Sequence, residues 1–417
     1  LRILHTSDWH LGQYFLGKTR QAEHVRFLQW LTGLTAEQSI DCVVIAGDLF
    51  DTGAPPSYAR ELYNQTVIEL HRQGVQLIVI GGNHDSVATL SESRSLVAYL
   101  SATVVPAVQP GQLTDQLVPL HQRDGSVGAL LCAVPFIRPR DVLNSQSGQS
   151  AEEKQYSLQE AITGHYNELF LAAQTLRTTE NWQVPILATG HLTALGASLT
   201  ESVRDIYVGS LESLAAENFP PVDYLALGHI HRPQTVGGKP HFRYSGSPIP
   251  LSFDEATQQK EVVVIDILGD CVSQITPVPV PCFQPLLRLS GSLTELQQSI
   301  PAQIALIPRL PDQLIWLDVL VREDDYLTDL QNRLQPLAEQ YPIDILRIRR
   351  ERNRSSTFNS TDEKRTLAEL TPLDVFTQRL ADEVLTQEQQ ATLMTYYQQI
   401  LADLHDPAPH DSDHPME

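Results

Sequence analysis

The chain has 417 residues, with 50 acidic against 29 basic side chains, a formal charge of −21 at neutral pH, and four cysteines. That length exceeds one ordinary core, so two domains and an appendage are expected, while no apolar run approaches the length of a membrane span. The cysteines form no Cys-x-x-Cys pair, and Cys42 and Cys132, in or beside apolar strands, read as buried structural thiols in a reducing, cytoplasmic setting; an acidic surface repels polyanions, so contact with nucleic acid needs a local positive centre or a partner.

Residues 1–10 read as strand and site, not as a signal peptide, and the start at Leu1 without a Met reads as numbering that omits the initiator. The apolar run at Ile3-Leu4 ends in Ser7-Asp8-Trp9-His10. Thr19 can cap a helix whose apolar face is Phe27, Leu28, Leu31 and Leu34. The strand at 42–46 passes into Gly47-Asp48-Leu49-Phe50-Asp51, and a second helix carries Tyr58, Leu62, Val67 and Leu70. The strand at 76–80 runs into Gly81-Gly82-Asn83-His84-Asp85 and completes a β-α-β-α-β series, which requires a parallel sheet with right-handed crossovers. Shorter β-like stretches fill 103–135. Ser150 and Glu153 form a capping box before a long helix with Leu158, Ile162, Leu169 and Leu176 on one side. Strands at 186 and 224 lead to Gly190-His191 and Gly228-His229-Ile230-His231, and residues 242–267 suggest a second, antiparallel sheet that includes Val262–Ile265.

Around 278–285, alternating prolines read as a stiff extended linker. Strand, helix, strand, helix and strand over 286–350 suggest a small α+β domain. Arg347, Arg349, Arg350, Arg352 and Arg354 are its densest basic cluster, readable either as an edge strand guarded against aggregation or as a phosphate contact. Residues 355–370 are a polar linker. Thr371-Pro372 opens a helix striped by Leu373, Phe376, Leu380 and Val384; a second, boxed by Thr386 and Gln389, carries Leu393, Tyr397, Ile400 and Leu404. The tail 406–417 reads as disordered.

The five strand ends bring together Asp8, His10, Asp48, Asn83, His191, His229 and His231, all oxygen or imidazole donors. Ligands of open α/β sheets gather beyond the carboxyl ends of strands. Any of the 14 histidines taken singly is an ordinary core or surface residue, and His5, His24, His71, His121, His165, His241 and those in the tail keep that reading. The constellation does not. It suits two divalent ions, with Mn favoured by the hard oxygens and Mg, Fe or Zn as alternatives. Two such ions with Asp8 and Asp48 leave about +2 at the site, the local positive centre that a phosphate diester needs. The pair can lower the pKa of a water between them and steady the leaving oxygen. His84 is expected to face the substrate as proton donor, and Asp51 to hold the His84 imidazole in one tautomer, against the plain reading of Asp51 as a turn residue.

Asp8-x-His10, Gly47-Asp48, Gly82-Asn83-His84-Asp85, Gly190-His191 and Gly228-His229-x-His231 resemble the calcineurin-like metallophosphoesterase superfamily. Ser7–Gly12, Gly47–Gly53 with Pro55–Arg60, and Gly246–Phe253 narrow the resemblance to its SbcD-type bacterial nucleases. This implies an α/β fold: a metallophosphoesterase β-sandwich flanked by helices (1–277), a small α+β capping or DNA-recognition domain (286–350), a helical pair that binds the partner (371–405) and the tail. It further implies a two-Mn exonuclease and endonuclease on DNA ends and hairpins, a homodimer working with an SMC-like ATPase in a heterotetramer, cytoplasmic and nucleoid-associated. By position, Asp8, His10, Asp48 and His231 would hold one ion, and Asp48, Asn83, His191 and His229 the other. Rival readings are a small-molecule phosphodiesterase or monoesterase and a non-catalytic scaffold. Phosphatases of the superfamily resemble Gly-Asp-x-x-Asp-Arg-Gly; Thr52 stands at the arginine position, against a monoesterase.

Overall fold

The computed structural model describes residues 1–109, 111–142, 151–194, 197–198, 200–203, 214–311, 313–322, 330–350 and 392–397, with side chains from 156 onward in the helix that begins at 151. Leu1–Glu351 form one unit and Arg352–Glu417 another. Of the second unit, the helical segment 392–397 is described; the rest of the expected helical pair, Arg352, Arg354 and the tail lie outside the described residues.

The three leading apolar runs become the strands Arg2–Thr6, Cys42–Ala46 and Gln76–Ile80, mutually parallel, with Ala102–Val105 parallel beyond them. The connecting helices Gln21–Glu37 and Ser57–Arg72 pack Phe27, Leu31, Val67 and Leu70 onto one face of this sheet. Arg20, not Thr19, is the helix N-cap residue; its buried guanidinium is bound by Glu23, Gln13 and the Pro250 carbonyl, and Thr19 is left to accept from the Gln21 N–H at 3.3 Å. The Ser150 cap lies outside the described residues.

The strand Glu261–Leu268 was expected in a second sheet. It instead pairs antiparallel with Arg2–Thr6 in the first, and Cys271–Pro279 closes that edge. Val262 and Val264 pack toward the helices while Val263 and Ile265 face the other sheet. A run buried on both faces announces a sheet interior, and nothing in it says which sheet. Part of the expected linker is likewise strand: Pro277 and Pro279 sit in the edge strand, where a missing N–H costs no ladder bond.

The second sheet runs Gln234–Val236, Lys239–Tyr244, Tyr224–Gly228, Ile186–His191, Val127–Cys132, Leu117–His121 in spatial order. The long helix Ala151–Thr179 covers its outer face through Leu158, Ile162, Tyr166 and Leu169. Between the sheets lie mostly small or β-branched side chains, among them Val44, Ala46, Ile78, Ala129, Ala133 and Ala226. Burying each Val or Ile there contributes roughly 1.5–3 kcal/mol. The result is a sandwich of two sheets with helices outside, and the carboxyl ends of Cys42–Ala46, Gln76–Ile80, Ile186–His191 and Tyr224–Gly228 open at one rim.

Beyond residue 285, Leu286–Gly291, Ile315–Val321 and Ile343–Arg350 form a sheet in which both pairings are parallel, with the helices Leu293–Ala305 and Leu330–Gln340 between strands. Its connectivity is therefore α/β rather than α+β. Ser292 and Glu295 box the first helix. Arg347 and Arg349 are bound to the buried Asp318 of the middle strand at 2.9 and 2.7 Å. Those two arginines are thus engaged within their own sheet. The small sheet packs against the sandwich through Trp316 stacked on Phe15 (5.7 Å between centroids) and the ion pair Lys18–Asp344 (2.6 Å).

Candidate metal centre

The rim collects every ligand type that the sequence singled out. Three groups of donors each fall within 4.8 Å: Asp8, His10 and His231; Asp48, His191 and His229; and, between them, His10, Asp48 and His84. Asp8 and His10 leave the strand Arg2–Thr6, and Asp48 leaves Cys42–Ala46, all in the first sheet; His191, His229 and His231 come from the second. Each outer group therefore takes donors from both sheets.

The backbone is bent hard to do this. Asp8, His10, Asp48 and His229 have φ of 54°, 45°, 48° and 93°, the left-handed region that side chains rarely adopt. Such residues cost of order 1–3 kcal/mol each and persist where the surroundings over-determine them. Here the Asp8 and His10 N–H groups bond to the Gly47 and Asp48 carbonyls (3.0 and 3.1 Å), and the Asp8 carboxylate accepts from the His229 N–H at 2.9 Å. The glycines before the ligands serve close approach. A Cβ on Gly47 would stand 2.1 Å from His191 Nδ1, and one on Gly228 1.9 Å from the Ala46 carbonyl oxygen.

The donor set fits divalent cations. His191 Nδ1–H donates to the Ala46 carbonyl at 3.0 Å, so in the neutral ring Nε2 turns a lone pair toward Asn83 Oδ1 at 2.9 Å and Asp48 Oδ2 at 3.2 Å. His229 Nδ1 lies 3.2 Å from the same Asn83 oxygen. Acceptors facing acceptors repel unless a cation or proton sits among them. Burial lowers the His191 pKa, yet the Asp48 charge and hydrogen bond prevail and raise it to about 9. Burial pushes the Asp48 carboxyl up, but His191, His10 and His84 hold it well below the usual range. His10 Nε2 is buried without a hydrogen-bond partner, 3.6 Å from Asp48 Oδ2.

Asp51 takes a different place from the expected one. Its carboxylate accepts from His10 Nδ1 at 3.1 Å, while its backbone carbonyl accepts from His84 Nδ1 at 2.7 Å. The Asp51 main chain bonds to the His84 ring while its carboxylate bonds to the His10 ring; two bonds to two histidines three residues from Asp48 cannot be told apart from spacing. A carboxylate behind a ligating imidazole fixes its tautomer and raises its basicity. His84 is partly exposed, its ring 4.7 Å from that of His10, and its backbone N–H donates to Asp48 Oδ1 at 2.9 Å.

Several supporting residues escaped the sequence reading. Asp85 is buried and accepts N–H bonds from Leu49, Phe50 and Gly82 (3.1, 2.9 and 2.9 Å), tying two ligand loops together. Burial and the nearby Asp48 charge push its pKa up to about 6. Its place in Gly82-Asn83-His84-Asp85 was the available signal. His231 Nδ1 lies 2.6 Å from Ser202 Oγ, which bonds to the buried Glu255, itself paired to Lys260 at 2.6 Å. No spacing connects 202, 231, 255 and 260. His5 and His24 are core histidines, as expected: burial lowers the pKa of each to about 3. Among the described residues, no helix is long and apolar enough to cross a membrane.

A two-sheet sandwich flanked by helices, with clustered Asp and His donors at one rim, defines a metallophosphoesterase. Residues 1–233 match the family model of the calcineurin-like phosphoesterases, and the chain belongs to that family. Residues 282–384 match the model described as the type 5 capsule protein repressor C-terminal domain. Within the family the chain is similar to the SbcD component of the nuclease SbcCD from Escherichia coli (strain K12), 45% identical over 94% of this chain and 96% of that protein. The SbcD proteins of Rhodobacter capsulatus and Bacillus subtilis are 31% and 30% identical, over 82% and 79% of this chain and 85% and 81% of theirs.

Proposed function

We propose that the chain is the two-metal nuclease component of an SbcCD-type complex, hydrolysing phosphodiester bonds in DNA as an exonuclease on duplex ends and an endonuclease on single strands and hairpins. The observation that carries this is the pair of donor groups, Asp8–His10–His231 and Asp48–His191–His229, each within 4.8 Å and adjoining through His10 and Asp48. One ion would be held by Asp8, His10, Asp48 and His231, the other by Asp48, Asn83, His191 and His229, with Mn2+ the preferred metal. When bound, two such ions supply Lewis-acid charge to the phosphate and activate water. With a carbonyl as its partner, His84 Nδ1 must carry the proton of their 2.7 Å bond. Nε2 is then the atom that hands a proton to the departing oxygen, from the imidazolium form. Thr52 in place of a phosphate-gripping arginine favours a diester substrate over a monoester.

The −21 charge restricts phosphate attraction to the metal rim, so extended DNA contact is assigned to a partner. That partner is an SMC-like ATPase of the SbcC kind, docked on the apolar stripes of 371–405, with two copies of this chain in a heterotetramer serving DNA repair and recombination in the cytoplasm, at the nucleoid. The test is cleavage of labelled duplex, hairpin and nitrophenyl phosphate substrates with Mn2+, with and without the ATPase. Duplex and hairpin cutting stimulated by the ATPase is expected; preference for the small ester would overturn the reading.

A further inference from the structure

The short segment 200–203 touches both the metal rim and the small sheet. Ser202 Oγ is 2.6 Å from His231 Nδ1 and donates to Glu255 Oε1, which also accepts from Thr200 Oγ1 at 2.9 Å. Glu255 stands as an acceptor: its carboxylate takes the Lys260 ammonium at 2.6 Å and the Leu251 N–H at 2.9 Å. A hydroxyl has one proton, and Glu255 takes it. His231 Nδ1 must then donate to Ser202, which leaves Nε2 with its lone pair for an ion.

One residue earlier, the Glu201 N–H donates to Asp254 Oδ2 at 2.9 Å, and the Glu201 carboxylate accepts two bonds from Arg288, at 3.1 and 2.8 Å. Arg288 Nε in turn bonds to the buried Asp318 of the small sheet at 3.0 Å. On the other side of Glu255, the Arg347 guanidinium lies 5.6 Å over the Phe253 ring. Both contacts from the small sheet thus arrive within two residues of a group that orients His231. With Glu201 half exposed, its ion pair contributes little as a stabiliser. What distinguishes it is where it sits, one residue from the hydroxyl that fixes a ligand's tautomer.

We propose that Ser202 is a positioning residue for His231, and that the Arg288–Glu201 pair makes this positioning depend on the docking of the small sheet, so that displacing the sheet weakens one ion of the two. The proposal rests on the reading of His231 as a metal ligand. It makes a contact with the small sheet a control on metal occupancy.

The test titrates Mn2+ into metal-stripped full-length protein by calorimetry, with Mn2+ electron paramagnetic resonance to report paired ions. Ser202→Ala should weaken one ion by about 10–100-fold, the usual effect of removing a partner behind a ligand, and leave the other near wild type. Ser202→Thr, which keeps the hydroxyl, should restore binding. Arg288→Ala should weaken the same ion by a smaller factor, and the double variant should bind no worse than Ser202→Ala alone, because both changes break one chain of contacts. Two ions bound as in wild type by Ser202→Ala, or strictly additive losses, would overturn the relay. If Ser202→Ala lowers the melting temperature of the metal-free protein, the isosteric Glu201→Gln decides in its place. His231→Ala separates the relay from the ligand assignment. Loss of one ion there with full binding by Ser202→Ala sinks the relay alone, whereas two ions retained in His231→Ala sinks the ligand assignment beneath it.

Discussion

Asp51→Ala distinguishes two ways in which one carboxylate could serve the centre. The carboxylate bonds to His10 Nδ1 at 3.1 Å, whereas His84 is held by the Asp51 backbone carbonyl, which the substitution retains. Burial lowers the His10 pKa, and the Asp51 hydrogen bond leads the contributions that raise it overall. Removing the side chain should therefore reduce the basicity and fixed orientation of a ligand without releasing the proton donor. Loss of a carboxylate behind a ligating histidine costs about 10–100-fold in metal affinity, or about 1.4–2.7 kcal/mol. Equilibrium dialysis of Mn2+ against the variant should show that loss, and the cleavage rate should return to within a few-fold of wild type at saturating metal. Full metal affinity with a rate that stays low at every metal concentration would refute the reasoning and return Asp51 to His84.

Asp48→Ala should abolish cleavage and reduce bound metal below two ions per chain by elemental analysis, because Asp48 stands within reach of donors in both groups. His84→Gln should retain both ions and DNA binding while the single-turnover rate falls by ~100-fold or more; falling metal content would make His84 a ligand instead. His5, with a folded pKa of about 3 against 6.5 unfolded, is protonated first in the unfolded chain. Its contribution is present above pH 6.5 and lost as pH falls toward 3, so urea titrations from pH 6.5 to 5.5 should cost wild type about 1 kcal/mol more than His5→Gln. Deleting 371–417 should leave Mn2+ binding and cutting of simple substrates intact but abolish co-purification with the ATPase; a truncated chain that still assembles would place the docking surface elsewhere.

The sequence announced most of the rim because glycine followed by a donor at a strand end leaves a local trace. The sheet order was only half visible. Parallel β-α-β-α-β connectivity dictates its own pairing, whereas Glu261–Leu268 reaches Arg2–Thr6 across more than two hundred and fifty residues, and its buried faces suit either sheet. Asp51 shows the same limit at atomic scale, since three residues of spacing put it near two histidines without saying which of its oxygens meets which ring. The chain Ser202–Glu255–Lys260 was invisible for a further reason. Serine, glutamate and lysine are ordinary surface residues in sequence, and only the burial of Glu255 and Lys260, with the bonds that satisfy them, makes the group structural.

Because each donor group draws on both sheets, bound ions would act as non-covalent staples across the open rim of the sandwich. The two halves otherwise meet through the buried side chains between the sheets, among them Ala46, Ile80, Val105 and Ala226. Mechanical cohesion and enzymatic competence then respond to one variable, the free metal concentration. At a hundred times its dissociation constant, each ion that binds only the folded state adds about 2.7 kcal/mol. Withdrawing metal would thereby silence the protein and loosen it in the same step.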